Sequence, residues 1–304
     1  YAPEVLAKLG VDVVPLDTEL DYTFPRYNPN PEDHEMLHAM SEAVKETGAE
    51  LALGFDGDGD RCGVVAGDGE EIFADKIGVM LARDLSALYP NRTFVADVKS
   101  TGLYAVDTVL KANGAKTDYW MTGHSHIKRR NHELGALAAF EKSGHFFFNA
   151  PIGRGYDDGL VSAIAVLRMM ERNPGKSLAQ LYAELPVTHA TLTMGPHCGD
   201  TIKYGVVDEL VARFKAMHAN GESVTGQKIV EVLTVNGVRF TTEDGTWGLI
   251  RASSNKPQLV VVAESPVSKA RMCAMYRYLK DLLDADTRIG AWDQTMDATC
   301  QNCH

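Results

Sequence analysis

The chain has 304 residues, of which 45% are hydrophobic and 23% charged, and its formal net charge is −11. This is ordinary globular composition, which excludes wholesale disorder, and at about 100–200 residues per domain the length reads as two or three domains. The acidic balance argues against nucleic acid as a partner. No apolar run approaches the roughly 18–20 residues of a membrane helix, and no basic-then-apolar leader opens the sequence. The expectation is a soluble, cytoplasmic protein without nucleic-acid or membrane partners.

The first residues, Tyr1-Ala2-Pro3-Glu4, read as the middle of a helix rather than a translation start. A helix over 3–9, closed by Gly10, leads into an alternating strand over 11–15, which reads as an α/β unit whose first strand lies upstream. Residues 35–47 carry apolar side chains at helical spacing up to Gly48. Leu51 to Phe55 is a short apolar strand entering the acidic loop 56–60. Residues 63–66 and 71–73 flank Gly67-Asp68-Gly69, a hairpin signature. Helices are then expected at 76–88, 102–113, near 127–134 and at 158–172. Strands are expected at 93–97 and near 117–120, with an apolar segment at 136–140 and a hairpin-like 144–149. Strands alternating with helices imply an α/β fold of mixed-sheet α/β/α layers.

The pattern changes near Pro186. Strands at 188–194, 228–232, 238–242, 247–252 and 259–263 are interrupted by one helix at 205–220 and followed by another at 267–283, an α+β domain with an antiparallel sheet. The expected organisation is 1–70, 71–185 and 186–284, with a loosely attached tail at 285–304. Five cysteines without regular spacing do not form a secreted disulfide framework. Cys300-Gln301-Asn302-Cys303-His304 matches a c-type haem attachment pattern, but it lacks a surrounding haem domain and reads as an unremarkable tail.

Three polar segments could carry chemistry. In Gly54-Phe55-Asp56-Gly57-Asp58-Gly59-Asp60-Arg61, glycines let the backbone curl so that three carboxylates converge. Such a cluster suits a hard divalent cation. An EF-hand is excluded, because its sixth and twelfth positions hold Arg61 and Gly67. Three oxygens leave room for Mg²⁺ to meet a phosphate, with Arg61 beside it. Glu141-Lys142-Ser143-Gly144-His145, with Gly123-His124-Ser125-His126 upstream, offers the donors and acceptors that sugar hydroxyls require. A Ser/His hydrolase does not fit, since Ser143 and His145 are too close for an independent base and no Gly-x-Ser-x-Gly elbow occurs. Arg251-Ala252-Ser253-Ser254-Asn255-Lys256-Pro257 is a compact oxyanion cradle between strands. Lys99 stands where a strand gives way to a helix, a favoured ligand position in α/β sheets.

In that order, these motifs resemble the α-D-phosphohexomutase family, in its phosphomannomutase/phosphoglucomutase branch, over about 17–266. The resemblance implies four domains around a cleft. Asp56, Asp58 and Asp60 would bind Mg²⁺; Glu141, Ser143 and His145 would grip the sugar; Arg251, Ser253, Ser254 and Asn255 would hold the phosphate that stays in place. Lys99, His124 and Arg61 would line the cleft at the transferring phosphoryl group, with His124 or Lys99 assisting proton transfer. The implied reaction interconverts hexose 1- and 6-phosphates of mannose or glucose through a phosphoserine and a hexose 1,6-bisphosphate intermediate and activator. The family's Thr-x-Ser-His-Asn-Pro-like stretch does not occur in these residues, so the serine-bearing first domain is expected to be missing and the chain alone inactive. Two alternatives stay open: a non-catalytic, Mg²⁺-dependent sugar-phosphate binding module, and a phosphoglucosamine mutase. The Glu before Ser143 speaks for the mannose/glucose branch over the latter.

Overall fold

The structure is a computed structural model that describes residues 1–19 and 21–301. The chain divides into two compact units, 1–185 and 186–304.

In the first unit, helix α1 (Ala2–Lys8) is followed by irregular chain and then by α2 (His34–Thr47). Asp33 caps α2 by accepting from the Glu35 amide, and Gly48 ends it in the left-handed conformation. Strands β1 (Leu51–Phe55), β2 (Cys62–Ala66) and β3 (Glu71–Ile72) form an antiparallel sheet in that order. Helix α3 (Ala74–Leu88) leads to β4 (Thr93–Asp97), short helices α4 (Leu103–Val106) and α5 (Thr108–Ala112), β5 (Lys116–Trp120), α6 (His124–Glu133), β6 (Ala138–Phe140) and β7 (Phe146–Phe148). These strands make a mixed sheet in the order β5-β4-β6-β7. Strands β5 and β6 both run parallel to β4, and β7 returns antiparallel to β6. Helices α7 (Gly159–Arg172) and α8 (Leu178–Ala183) complete the unit.

The sheet is buried on both faces, and side-chain alternation says how. Phe94, Ala96, Ala138, Phe140, Phe146 and Phe148 enter one core with residues of α3 and α7. The alternate residues Val95, Ala139 and Phe147 enter another with Ile127 of α6. Phe140 meets the rings of Phe94, Tyr104, Phe146 and Phe148 at centroid distances of 5.2–6.3 Å, a position where truncation to Ala costs about 3–5 kcal/mol.

The second unit opens with β8 (His189–Ala190) and α9 (Lys203–Ala219). Strands β9 (Ser223–Val224), β10 (Gln227–Leu233), β11 (Val238–Thr242), β12 (Trp247–Ala252) and β13 (Leu259–Ser265) follow, then α10 (Lys269–Asp284) and α11 (Asp297–Cys300). The sheet order is β8-β13-β12-β11-β10-β9, antiparallel throughout. Phe214 of α9 stacks on Phe240 at 4.2 Å, within a core that includes Met275, Tyr276 and Leu279 of α10. The fold class is therefore α/β layers followed by an antiparallel α+β unit. Among the described residues no helix is long and apolar enough to cross a membrane.

Four sequence expectations need correction. Residues 11–15 form no strand; no described strand takes up their backbone groups, and Val14 is exposed. The helix over 102–113 is broken at Asp107, whose carboxylate accepts from the Val109 and Leu110 amides and starts a new helix. The strand over 188–194 shrinks to two residues, although the Thr191 and Met194 amides still donate to Ala263 and Val261. The tail is not loose. Met296 and Cys300 are buried in the second core, Tyr276 donates to Asp297 at 2.7 Å, and Cys300 is disulfide-bonded to Cys273. Cys303 and His304 of the haem-like pattern lie outside the described residues.

Candidate active site

The acidic loop is the connection of the β1–β2 hairpin, whose last pair is Phe55 opposite Cys62. Gly59 has φ +78, a conformation in which a β-carbon is strained, and its amide returns to the Asp56 carbonyl and to Asp56 Oδ1. Asp56 is turned inward; Arg61 donates to it from its amide and from Nε, at 3.1 and 2.5 Å, and reaches Asn30 Oδ1 at 2.9 Å. Burial works against the Asp56 charge, but the bonds from Arg61 hold its carboxyl below the usual range.

Oxygens of Asp56, Asp58 and Asp60 lie within 4.8 Å of one another. The Asp60 carboxyl is pushed up to about 6, first by burial and then by the charges of Asp56, Asp58 and Asp157. Its Oδ1 is buried without a hydrogen-bond partner. Crowded, under-satisfied carboxylates of this kind are what a divalent cation relieves, and an all-oxygen donor set fits Mg²⁺.

The β6–β7 connection faces this loop: His145 bridges to Arg61 in antiparallel fashion. Glu141 and Gly144 close the turn through Glu141 N–H to His145 O and Gly144 N–H to Glu141 O, leaving Ser143 half-buried on it. The Glu141 carboxylate, 1% exposed, accepts from the Gly123 amide at 2.6 Å. Burial, aided by the neighbouring Asp97 charge, pushes it up to about 8. His145 is pushed down to about 4 by burial and then by the Arg61 charge, so its imidazole is neutral.

His124 begins α6, 5.7 Å from the stacked ring of His145. Both turn Nδ1 towards Asp157 Oδ2 at 3.3 Å. Lys99 lies 3.9 Å from Glu32 in the turn after β4. Buried Asp97 ties the three turns together, accepting from Ser100 Oγ at 2.5 Å, Thr122 Oγ1 at 2.8 Å and the Lys142 amide at 3.2 Å.

Thus Asp56, Asp58, Asp60, Arg61 and His145 gather at one place, with His124 and Glu141 joined to them through Asp157 and the Gly123 amide. Sequence reading missed Asp97 and Asp157. Asp157 carried a signal, since Asp157-Asp158-Gly159 opens the helix expected at 158. The Asp158 side chain caps α7 through the Leu160 and Val161 amides, and the Gly159 amide donates to Gly59 O at 3.0 Å. Asp97 carried none, since a lone Asp at a strand end is unremarkable.

In the second unit, Arg251 is the next-to-last residue of β12 and donates to the Ala252 carbonyl at 3.0 Å. Ser253 is buried and its Oγ accepts from the Asn255 and Lys256 amides, while Ser254 and Asn255 are exposed on the turn before β13. Lys203, also missed in the sequence, is buried beneath this turn and donates to the Lys256 carbonyl at 3.0 Å and to Asp200 at 2.6 Å.

Residues 1–69 match the family model for phosphoglucomutase/phosphomannomutase α/β/α domain II, 73–189 that for α/β/α domain III, and 200–275 that for the C-terminal domain. The chain is 34% identical over 264 residues to a phosphomannomutase/phosphoglucomutase of Pseudomonas putida, covering 87% of this chain and 54% of that protein. It is 34% identical over 272 residues to a phosphoglucomutase of Neisseria meningitidis, covering 89% and 55%. Among solved structures, a phosphoglucomutase/phosphomannomutase family protein of Burkholderia thailandensis matches with a TM-score of 0.79 and 30% identity, over 93% of this chain and 57% of that one. The chain spans about half the length of the curated relatives it matches. Three consecutive domain matches of one family, with these relatives, mean that the chain belongs to the phosphoglucomutase/phosphomannomutase family of α-D-phosphohexomutases.

Proposed function

We propose that the chain supplies the metal, sugar and phosphate loops of a phosphohexomutase that interconverts hexose 1- and 6-phosphates of mannose or glucose through a hexose 1,6-bisphosphate. In this reading 1–70, 71–185 and 186–284 act as the family's second, third and fourth domains. The observation that carries it is the packing of the Asp56–Asp60 loop against the Glu141–His145 turn through the Arg61–His145 bridge. Asp56, Asp58 and Asp60 would hold Mg²⁺, which when bound offsets charge on the phosphoryl group. Arg61 turns towards that group while anchored by Asp56 and Asn30. Glu141, Ser143 and His145 bind the sugar hydroxyls, with Glu141 able to donate as well as accept because burial keeps its proton on near neutral pH. His124 or Lys99 assists proton transfer at the attacked hydroxyl. Arg251, Ser253, Ser254 and Asn255 hold the distal phosphate; Ser253 Oγ accepts from the turn's own Asn255 and Lys256 amides, which shapes the loop and leaves its O–H to donate to the phosphate. The phosphoserine donor is not among the 304 residues and in this reading comes from outside them.

Calorimetric titration of the chain with glucose 1,6-bisphosphate tests the reading. Binding that strengthens at least about tenfold with Mg²⁺ is expected, and that enhancement should vanish in Asp58→Ala. Equal binding with and without Mg²⁺ would overturn it. The alternative reading is a non-catalytic, Mg²⁺-dependent sugar-phosphate binding module. Adding a separately prepared first domain of a relative decides between the two: interconversion of hexose phosphates supports the mutase, ligand binding without turnover the module.

A further inference from the structure

Beside the oxygen-only cluster lies a second donor set of different chemistry. Asp60 Oδ1, His145 Nδ1 and Asp157 Oδ2 lie within 4.8 Å of one another. All three atoms are buried, and none makes a hydrogen bond among the described residues. The imidazole nitrogen sits 3.5 Å from Asp60 Oδ1 and 3.3 Å from Asp157 Oδ2. Tetrahedral bonds of about 2.0–2.1 Å to a zinc-like ion put neighbouring ligand atoms about 3.3–3.4 Å apart, so both spacings are those of ligands around an ion. They are long for direct hydrogen bonds. His124 Nδ1 is 3.3 Å from the same Asp157 oxygen but stands outside this cluster, which leaves three protein ligands, the number a zinc-like ion takes when water fills its fourth position. Asp157 is held in place: its side chain is 8% exposed and its other oxygen accepts from Lys128 at 3.1 Å. Arg61, whose Nε lies 3.9 Å from Asp60 Oδ1, is committed to Asp56 at 2.5 Å.

We propose that Asp60, His145 and Asp157 form a second cation site selective for zinc-like transition ions and distinct from the Asp56–Asp58–Asp60 site. Imidazole nitrogens select Zn²⁺, Co²⁺ or Ni²⁺, whereas Mg²⁺ keeps to oxygen. The two sites share Asp60, whose carboxylate can bridge two cations as in two-metal centres. The inference rests on the donor atoms and not on the mutase reading. Should that reading hold, an ion here takes the His145 imidazole away from the sugar hydroxyls, and Zn²⁺ inhibits at saturating Mg²⁺.

The test is calorimetric Zn²⁺ titration of the full chain in excess Mg²⁺, with Co²⁺ absorption as an independent report of the ligands. One ion is expected to bind, with a tetrahedral Co²⁺ spectrum free of thiolate charge transfer. His145→Ala should weaken Zn²⁺ by at least about tenfold, since losing even an outer-shell partner costs 10–100-fold. Asp157→Asn should weaken it similarly; it keeps shape and the His145 imidazole, and so decides the matter if His145→Ala does not fold. Asp58→Asn should change it less than about threefold. The proposal is overturned if Asp58→Asn abolishes Zn²⁺ binding while the other variants retain it, if Mg²⁺ displaces Zn²⁺ one for one, or if Co²⁺ shows the thiolate band of the cysteines. Loss of hexose-phosphate binding with Zn²⁺ uptake intact would count against the mutase reading alone.

Discussion

Asp60 and Glu141 carry the site's electrostatic tension. Their carboxyls sit at about 6 and about 8, above the unperturbed values of about 4. An acid raised in the folded state contributes stability below its unfolded pKa and loses that contribution as pH rises through the folded value. Without divalent cation the first unit should therefore become less stable between about pH 4 and 8: both carboxyls act up to about pH 6, partly offset by His145, whose lowered value works the other way, and Glu141 alone acts above it. Denaturant melts across that range check it. Glu141→Gln should flatten the upper part, because the amide oxygen can still accept from Gly123 while no charge is buried. Mg²⁺ should reverse the lower part, adding about 2.7 kcal/mol at a hundredfold excess over its dissociation constant. Asp60→Asn should stabilise the metal-free protein at pH 7 and abolish most of the Mg²⁺ response. A flat pH profile would remove the physical basis for reading the acidic loop as a metal site.

Helix α7 couples packing to that loop. A β-carbon on Gly159 would come 2.6 Å from Arg61 O and 2.8 Å from Gly59 O, both rigid backbone atoms of the acidic turn. Gly159→Ala should cost about 1–3 kcal/mol as overpacking does, and it should weaken Mg²⁺ binding because the turn itself must move. Asp158→Ala removes the cap without pushing on the loop. It should cost about 1 kcal/mol and leave Mg²⁺ affinity nearly unchanged, so urea melts paired with Mg²⁺ titrations separate the two effects.

The same elements show what a sequence can carry. Helices α2, α3, α7, α9 and α10 and the strands β4 to β7 and β10 to β13 follow from the hydrophobic pattern. The fold class was legible for that reason, and the acidic loop and the Glu141–His145 turn could be picked out because their polar residues are contiguous in sequence. Helix α8 went unread despite the capping box of Ser177 and Gln180, since six residues give too little periodicity to register. Asp97 matters through neighbours up to 45 residues away, such as Lys142, and Asp157 through neighbours 12–97 residues away, from His145 to Asp60. The local pattern placed Asp157 at a helix start but held no trace of these contacts.

Across the whole chain, each unit has its own hydrophobic core: one built on Phe94, Phe140 and the α3 and α7 faces, the other on Phe214, Phe240 and α10. A core of its own is what lets a domain fold alone, so 1–185 and 186–304 should each give a cooperative melt when expressed separately. The tail decides how stable the second one is. Met296 and Cys300 are 7% and 1% exposed, and Trp292 and Ile289 pack against the same core. The Asp293 carboxylate accepts from the Gly195 amide at 2.6 Å, and Trp292 donates to Asp284 at 2.8 Å. Each fully buried large apolar side chain is worth about 1.5–3 kcal/mol, and removing the tail also opens the loop closed by the Cys273–Cys300 bond. Deleting 285–304 should therefore lower the stability of the second unit by several kcal/mol, a large part of the 5–15 kcal/mol that typically holds a domain together. Cys300→Ser under reducing conditions should cost much less, because the packing of Met296, Trp292 and Ile289 remains. Equal melting of the truncated and complete units would mean that the tail, for all its buried contacts, contributes nothing net, and the loose attachment expected from its lack of periodicity would be the better description.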